Sequence, residues 1–160
     1  MSPKKRGQIH VVLPEGWRDY SADNPDGPTT FLRDASEVSG ALQISVALHN
    51  GGPLPNPSKE DLVDMASSVG YEMQAGKLVE TANGECAFGL LGSATFHSTT
   101  MPHTRIWYLS DGQDFVMATH ICADVIDPQE LSEAGEIVKG LVLQSRSGGL
   151  LGRLGQLWRR

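Results

Sequence analysis

The chain has 160 residues, of which 39% are apolar and 20% charged, with 18 glycines, a balance that fits one globular domain and excludes disorder throughout. Its longest charge-free run, residues 86–104, is interrupted by serines, threonines and histidines, which excludes a membrane-spanning helix. The formal charge of -6 is unevenly placed: Lys4, Lys5 and Arg6 open the chain, Arg146, Arg153, Arg159 and Arg160 close it, and all 19 carboxylates lie between them beside only six bases.

That acidic body repels phosphate, so nucleic acid is not expected as a partner. The basic start leads into Gln8 and His10 without the apolar stretch or small-residue cleavage site of a secretory signal, and a cytoplasmic protein is expected. Two cysteines, Cys86 and Cys122, cannot build a disulfide framework. Both fall in predicted strands, where buried thiols behaving as small apolar groups are favoured over a disulfide or redox pair.

In chain order, His10–Leu13 reads as a first strand broken at Pro14-Glu-Gly-Trp17. Turn-forming residues from Asp23 to Pro28 precede a short strand at Thr29–Leu32. Leu42, Ile44, Val46 and Leu48 alternate with Ala41, Gln43, Ser45 and Ala47, the clearest half-buried strand. A loop with three prolines ends at Ser58, an N-cap for a helix over about Lys59–Met73, with Asp61 at its third position and an interruption expected at Gly70. Strands at Lys77–Glu80 and Glu85–Ser98 are joined by a turn at Asn83-Gly84.

The next hairpin is Arg105–Leu109 with Phe115–Thr119. A two-residue Asp-Gly turn there places Ile106 opposite Met117 and Tyr108 opposite Phe115, and with Ile121 these form the expected core side. Asp127, Pro128 and Glu130 read as cap, first turn and capping box of a second helix, with Leu131, Ala134, Ile137, Val138, Leu141 and Val142 as its apolar stripe. The expected fold is α+β: an antiparallel sheet of about six strands flanked by two helices, in the order β-β-β-α-β-β-β-α. Residues 1–7 form a basic arm, 8–145 a single domain and 146–160 a basic apolar tail.

The strand ending Leu13-Pro-Glu-Gly-Trp17, the strand Gly40-Ala-Leu-Gln-Ile-Ser45, the helix start Pro57-Ser-Lys-Glu-Asp-Leu62 and the closing strand-to-helix unit resemble the DcrB-like and PsbP-like superfamily. The resemblance spans about Gln8 to Leu143. It implies an antiparallel sheet flanked by helices and a binding role rather than catalysis, since members are mostly accessory subunits, lipoproteins and chaperones. It transfers no functional residue.

No nucleophile elbow, zinc-protease helix, P-loop or dinucleotide fingerprint occurs. Gly89-Leu-Leu-Gly-Ser93 lacks a following lysine and reads as a strand whose small residues allow close backbone approach. The proposed hairpin sets His103 opposite His120, with Cys122 on the same face, a ligand set suited to zinc or copper; ordinary hydrogen-bonded histidines are the favoured reading, with no metal or cofactor expected. On the side away from Ile106 and Tyr108, Arg105 and Trp107 are core if a helix covers them and an interface patch if none does. The tail would align Leu150, Leu151, Leu154, Leu157 and Trp158 on one helical side with Arg153, Arg159 and Arg160 largely elsewhere, the form of a groove-docking or interfacial helix. The expected function is a non-catalytic adaptor that binds a protein partner through the sheet face or the tail, in the manner of a chaperone or complex subunit. Peripheral membrane attachment through the tail, and a small metal-binding protein or hydrolase, are the alternatives.

Overall fold

The computed structural model describes residues 8–23, 26–33, 40–124 and 126–144. The basic arm and the tail, including Leu150, Leu151, Arg153, Leu154, Leu157, Trp158, Arg159 and Arg160, lie outside the described residues.

Two helices pack on a large antiparallel sheet. The strands are β1 (Ile9–His10), β2 (Trp17–Asp19), β3 (Thr29–Arg33), β4 (Ala41–Ala47), β5 (Lys77–Glu85), β6 (Leu90–His97), β7 (His103–Ser110), β8 (Phe115–Cys122) and β9 (Val142–Leu143). The helices are α1 (Lys59–Glu72) and α2 (Pro128–Gly140). Seven strands form one sheet in the order β2-β3-β4-β8-β7-β6-β5, and β1 pairs with β9 in a separate ribbon. The fold class is the expected one, with β2 and β9 added because strands of two or three residues carry too little alternation to register in sequence.

Helix α1 begins as its sequence dictates: Asp61 N–H donates to Ser58 Oγ at 3.0 Å and Ser58 N–H donates back to Asp61 Oδ2 at 2.9 Å. Gly70 does not interrupt it. A Cβ there would lie 2.0 Å from the Phe96 ring, so the missing side chain is what lets the helix close on β6. Gly92 serves the same contact from the sheet side, since a Cβ there would meet Val63 N at 2.4 Å.

The turn expected at Asn83-Gly84 is absent. Strand β5 runs on to Glu85, pairing Asn83 with Gly92 and Gly84 with Leu91, and the chain reverses at residues 86–89, where Cys86 and Gly89 exchange backbone hydrogen bonds. Continuation keeps β6 paired from its first residue, which a reversal at Gly84 would forfeit. Cys86 is therefore in a turn and half-buried, and Cys122 is buried in β8; both are free thiols.

The β7–β8 register differs by two residues from the expectation. Asp111 Oδ1 accepts from the N–H groups of Gln113 and Asp114 at 3.0 and 2.8 Å, holding residues 111–114 as a four-residue loop with Gly112 at φ +94°. Ser110 then faces Phe115, Tyr108 faces Met117 and His103 faces Cys122. Because the pleat repeats every two residues, a two-residue slip changes partners but leaves each side chain on its face.

The helices take opposite faces. Helix α1 lies over β5, β6 and β7, where Ala66 packs with Ala94, Phe96 and Ile106. Helix α2 supplies Ala134, Ile137 and Val138 to the larger core with Phe31, Leu42, Ile44, Trp107, Leu109 and Val116. The side expected to be the core is thus the smaller one, and Trp107, only 2% exposed, belongs to the larger core rather than to a surface patch. Helix α2 brings Ala134, Ile137 and Val138 to the Trp107 side, whereas α1 faces the sheet with Leu62, Ala66 and Gly70, whose small residues bury less apolar surface.

Candidate functional site

Strand alternation puts His103 and Arg105 of β7, and His120 and Cys122 of β8, on the α2 side of the sheet, and the ladder pairs His103 with Cys122 and Arg105 with His120. The third contributor was not foreseen. Glu130, expected to close the α2 capping box, turns inward instead and is 2% exposed, while Asp127 alone caps the helix by accepting from Gln129 N–H at 2.9 Å. Glu130 Oε2 accepts from His120 Nε2 at 2.7 Å and from Gly40 N–H at 2.7 Å. Cys122 Sγ lies 3.8 Å from both Glu130 Oε2 and His120 Nε2.

The electrostatics follow from burial and neighbours. Burial pushes the Glu130 carboxyl up, but the hydrogen bonds from His120 and Gly40, with the charges of His120 and Arg33, outweigh it and hold the group below its ordinary value. Burial, then the Glu130 charge and hydrogen bond, push the Cys122 thiol up to about 12. Burial, then the charges of His120, His97 and Arg105, push His103 down to about 4, against a smaller opposing pull from Glu130. The carboxylate is ionised and the thiol keeps its proton.

A cavity of about 220 Å³ adjoins the cluster, lined by Thr95, His97, His103, Arg105, Trp107 and His120 with Val79, Glu80 and Leu131. It reaches solvent at His97 and Val79, both exposed. Arg105 is half-buried here: its guanidinium stacks 4.8 Å from the Trp107 ring centroid and donates to Ser93 Oγ at 3.2 Å. Arg105 Nε, His103 Nε2 and His120 Nδ1 are buried without a hydrogen-bond partner. A larger open groove of about 760 Å³ runs between residues 8–13 and β3–β4.

Cys122, His120 and Glu130 are the residue types of a hydrolytic triad, yet the wiring is wrong for one. A triad base meets its nucleophile through one ring nitrogen and its carboxylate through the other; here both contacts fall on Nε2 and Nδ1 has no partner. The same three donor atoms lie within 4.8 Å of one another, a spacing at which a metal ion can be held. The sequence brought together His103, His120 and Cys122 correctly by face. It missed Glu130, whose signal was present in the capping position three residues after Asp127 but pointed to a local role.

On the other side of the sheet, α1 leaves β3, β4 and β8 largely uncovered. Gln43, Ser45 and Ala47 are exposed there, beside half-buried Leu32, Met117 and Ile121. Among the described residues of these three strands, none on this side is charged; Arg18 of β2 borders it opposite Leu32.

No family model matches the chain and no curated protein matches it in sequence. Among solved structures, it is similar to cyanobacterial PsbP (CyanoP) from Synechocystis sp. PCC 6803, at 10% identity and a TM-score of 0.54 over 88% of this chain and 94% of that one. It is also similar to LpqN, involved in cell envelope biogenesis of Mycobacterium tuberculosis, at 10% identity and a TM-score of 0.56 over 88% of this chain and 86% of that one. A protein from Bacteroides thetaiotaomicron VPI-5482 aligns at 14% identity and a TM-score of 0.49 over 88% of this chain, which spans 46% of that protein's length. The fold is PsbP-like, as the sequence resemblance implied. No helix among the described residues is long and apolar enough to cross a membrane.

Proposed function

We propose that this chain is a non-catalytic accessory protein that binds a protein partner through the uncharged half of its sheet. The observation that carries the reading is the open side of β3, β4 and β8. An antiparallel sheet face left to water is ordinarily polar and charged, and charged residues are depleted in the centre of protein interfaces. A body with 19 carboxylates that keeps this face free of them, with Met117, Ile121 and Leu32 between small polar groups, fits docking of a neutral protein surface. The PsbP-like and LpqN-like neighbours support an accessory role. The miswired Cys122-His120-Glu130 cluster supports the absence of hydrolysis, because its thiol stays protonated and buried.

Affinity capture with wild-type chain and with Ser45→Arg tests the reading, with sedimentation of the purified protein alone alongside. A defined partner captured by the wild type and lost in Ser45→Arg supports it. A partner retained by the variant overturns it. A purified wild type that self-associates, and a Ser45→Arg chain that does not, assigns the face to a second copy of this chain instead.

A further inference from the structure

Three donor atoms of different chemistry meet beneath the first turn of α2. The His120 Nε2 to Glu130 Oε2 distance is 2.7 Å, and Cys122 Sγ is 3.8 Å from each. A triangle with those sides has a point about 2.0 Å from all three corners, and displacement out of its plane lengthens this to the roughly 2.0–2.3 Å that zinc makes to imidazole, carboxylate and thiolate. Only the N–O edge must open, by roughly half an ångström, to reach a tetrahedral angle.

We propose that His120, Cys122 and Glu130 form a zinc-binding site, on the face of the sheet opposite the proposed docking surface and independent of it. One thiolate, one imidazole and one carboxylate suit zinc and disfavour magnesium and calcium, which take oxygen ligands. The surroundings are those of a built site. Gly40 N–H already donates to Glu130 Oε2 and would orient the ligating carboxylate. A side chain at position 40 would press within 2.7 Å of Cys122 Sγ and 2.9 Å of Glu130 Oε2, so the residue over the cluster has none. His120 also lines the cavity that opens at His97, which gives the ion an entry path.

Binding moves two protons. The Cys122 thiol proton leaves to solvent as the S–Zn bond forms. The proton His120 Nε2 shares with Glu130 leaves to solvent as Nε2 takes the metal, and the ring takes one up from solvent at Nδ1, which has no protein partner, so the imidazole stays neutral and the net release is the thiol proton. Uptake therefore strengthens as pH rises.

The full chain, stripped by a chelator and reloaded, is expected to retain one zinc ion after gel filtration. Its Co²⁺ form is expected to show a near-ultraviolet thiolate-to-metal charge-transfer band. Cys122→Ser should abolish the band and weaken zinc binding beyond the roughly 10–100-fold that outer-sphere partners are worth, while Cys86→Ser leaves both intact. The wild-type and Cys86→Ser cobalt spectra decide the matter even if Cys122→Ser does not fold. No uptake of either metal, a cobalt spectrum without the thiolate band, or binding retained in Cys122→Ser overturns the site.

Discussion

Glu130 on the first turn of α2 and His120 near the end of β8 meet at 2.7 Å with 2% and 0% of their surfaces exposed. This contact, together with Gly40 N–H on the same carboxylate oxygen, ties the helix to two strands at a point where neither side chain has water to fall back on. Removing one member of a buried pair leaves the other uncompensated, at a cost of about 3–5 kcal/mol. Glu130→Ala should lower stability by about that amount in urea unfolding, and Glu130→Gln by less, because the amide oxygen can still accept one bond. A Glu130→Ala chain as stable as wild type would show that α2 is held by its apolar stripe alone.

The seat of α1 depends on absent side chains. Gly92→Ala would place a methyl 2.4 Å from the backbone nitrogen of Val63, which cannot rotate away, and should cost about 1–3 kcal/mol as overpacking does. Gly84→Ala, where nothing lies within 4 Å, should be neutral or slightly stabilising. The melting temperature should fall in Gly92→Ala and hold or rise slightly in Gly84→Ala.

Much of this was legible in the sequence, for identifiable reasons. The Ser58–Asp61 capping box, the Asp127-Pro128 helix start and the alternation through β4 are local patterns, and local patterns survive folding. The small residues of Gly89–Ser93 spoke correctly of close approach. The β7–β8 register was not legible, because Asp111 chooses between a two-residue and a four-residue loop by hydrogen-bonding two backbone N–H groups. The site's face assignments escaped that error since two residues is one full pleat. Glu130 was misread because a carboxylate three residues past an N-cap has two uses, and only the distance to His120, ten residues earlier in sequence, decides between them. Which side of the hairpin is the larger core was equally non-local, being set by where α2 and residues 9–13 pack.

His103 gives the fold a pH dependence with a definite sign. Its imidazole is held at about 4 against an ordinary value of 6.5, chiefly by burial and then by His120, His97 and Arg105, with Glu130 opposing. The unfolded chain therefore binds more protons than the folded one between those values. The associated stability is complete above about pH 6.5 and is lost as pH falls towards 4, to a total of about 3 kcal/mol. Urea midpoints of chelator-stripped protein should fall across this window, and His103→Gln should flatten the slope. Equal slopes in both proteins would assign the acid sensitivity to carboxylates.

Ser45→Arg adds a charge to an exposed strand position of β4, away from any core contact, and should change stability by no more than about 0.5 kcal/mol. Its loss of partner binding would then be an interface effect, and a melting temperature well below wild type would instead trace that loss to the fold.

The central claim is that the uncharged side of β3, β4 and β8 is where a partner sits, and site-specific photo-crosslinking tests it most directly. A photoreactive side chain at Gln43, Ser45 or Ala47 is expected to give the same discrete adduct in cells, while one at exposed Glu136 on α2, across the sheet, gives none. Adducts from Glu136 alone, or none from the three β4 positions, would contradict the account.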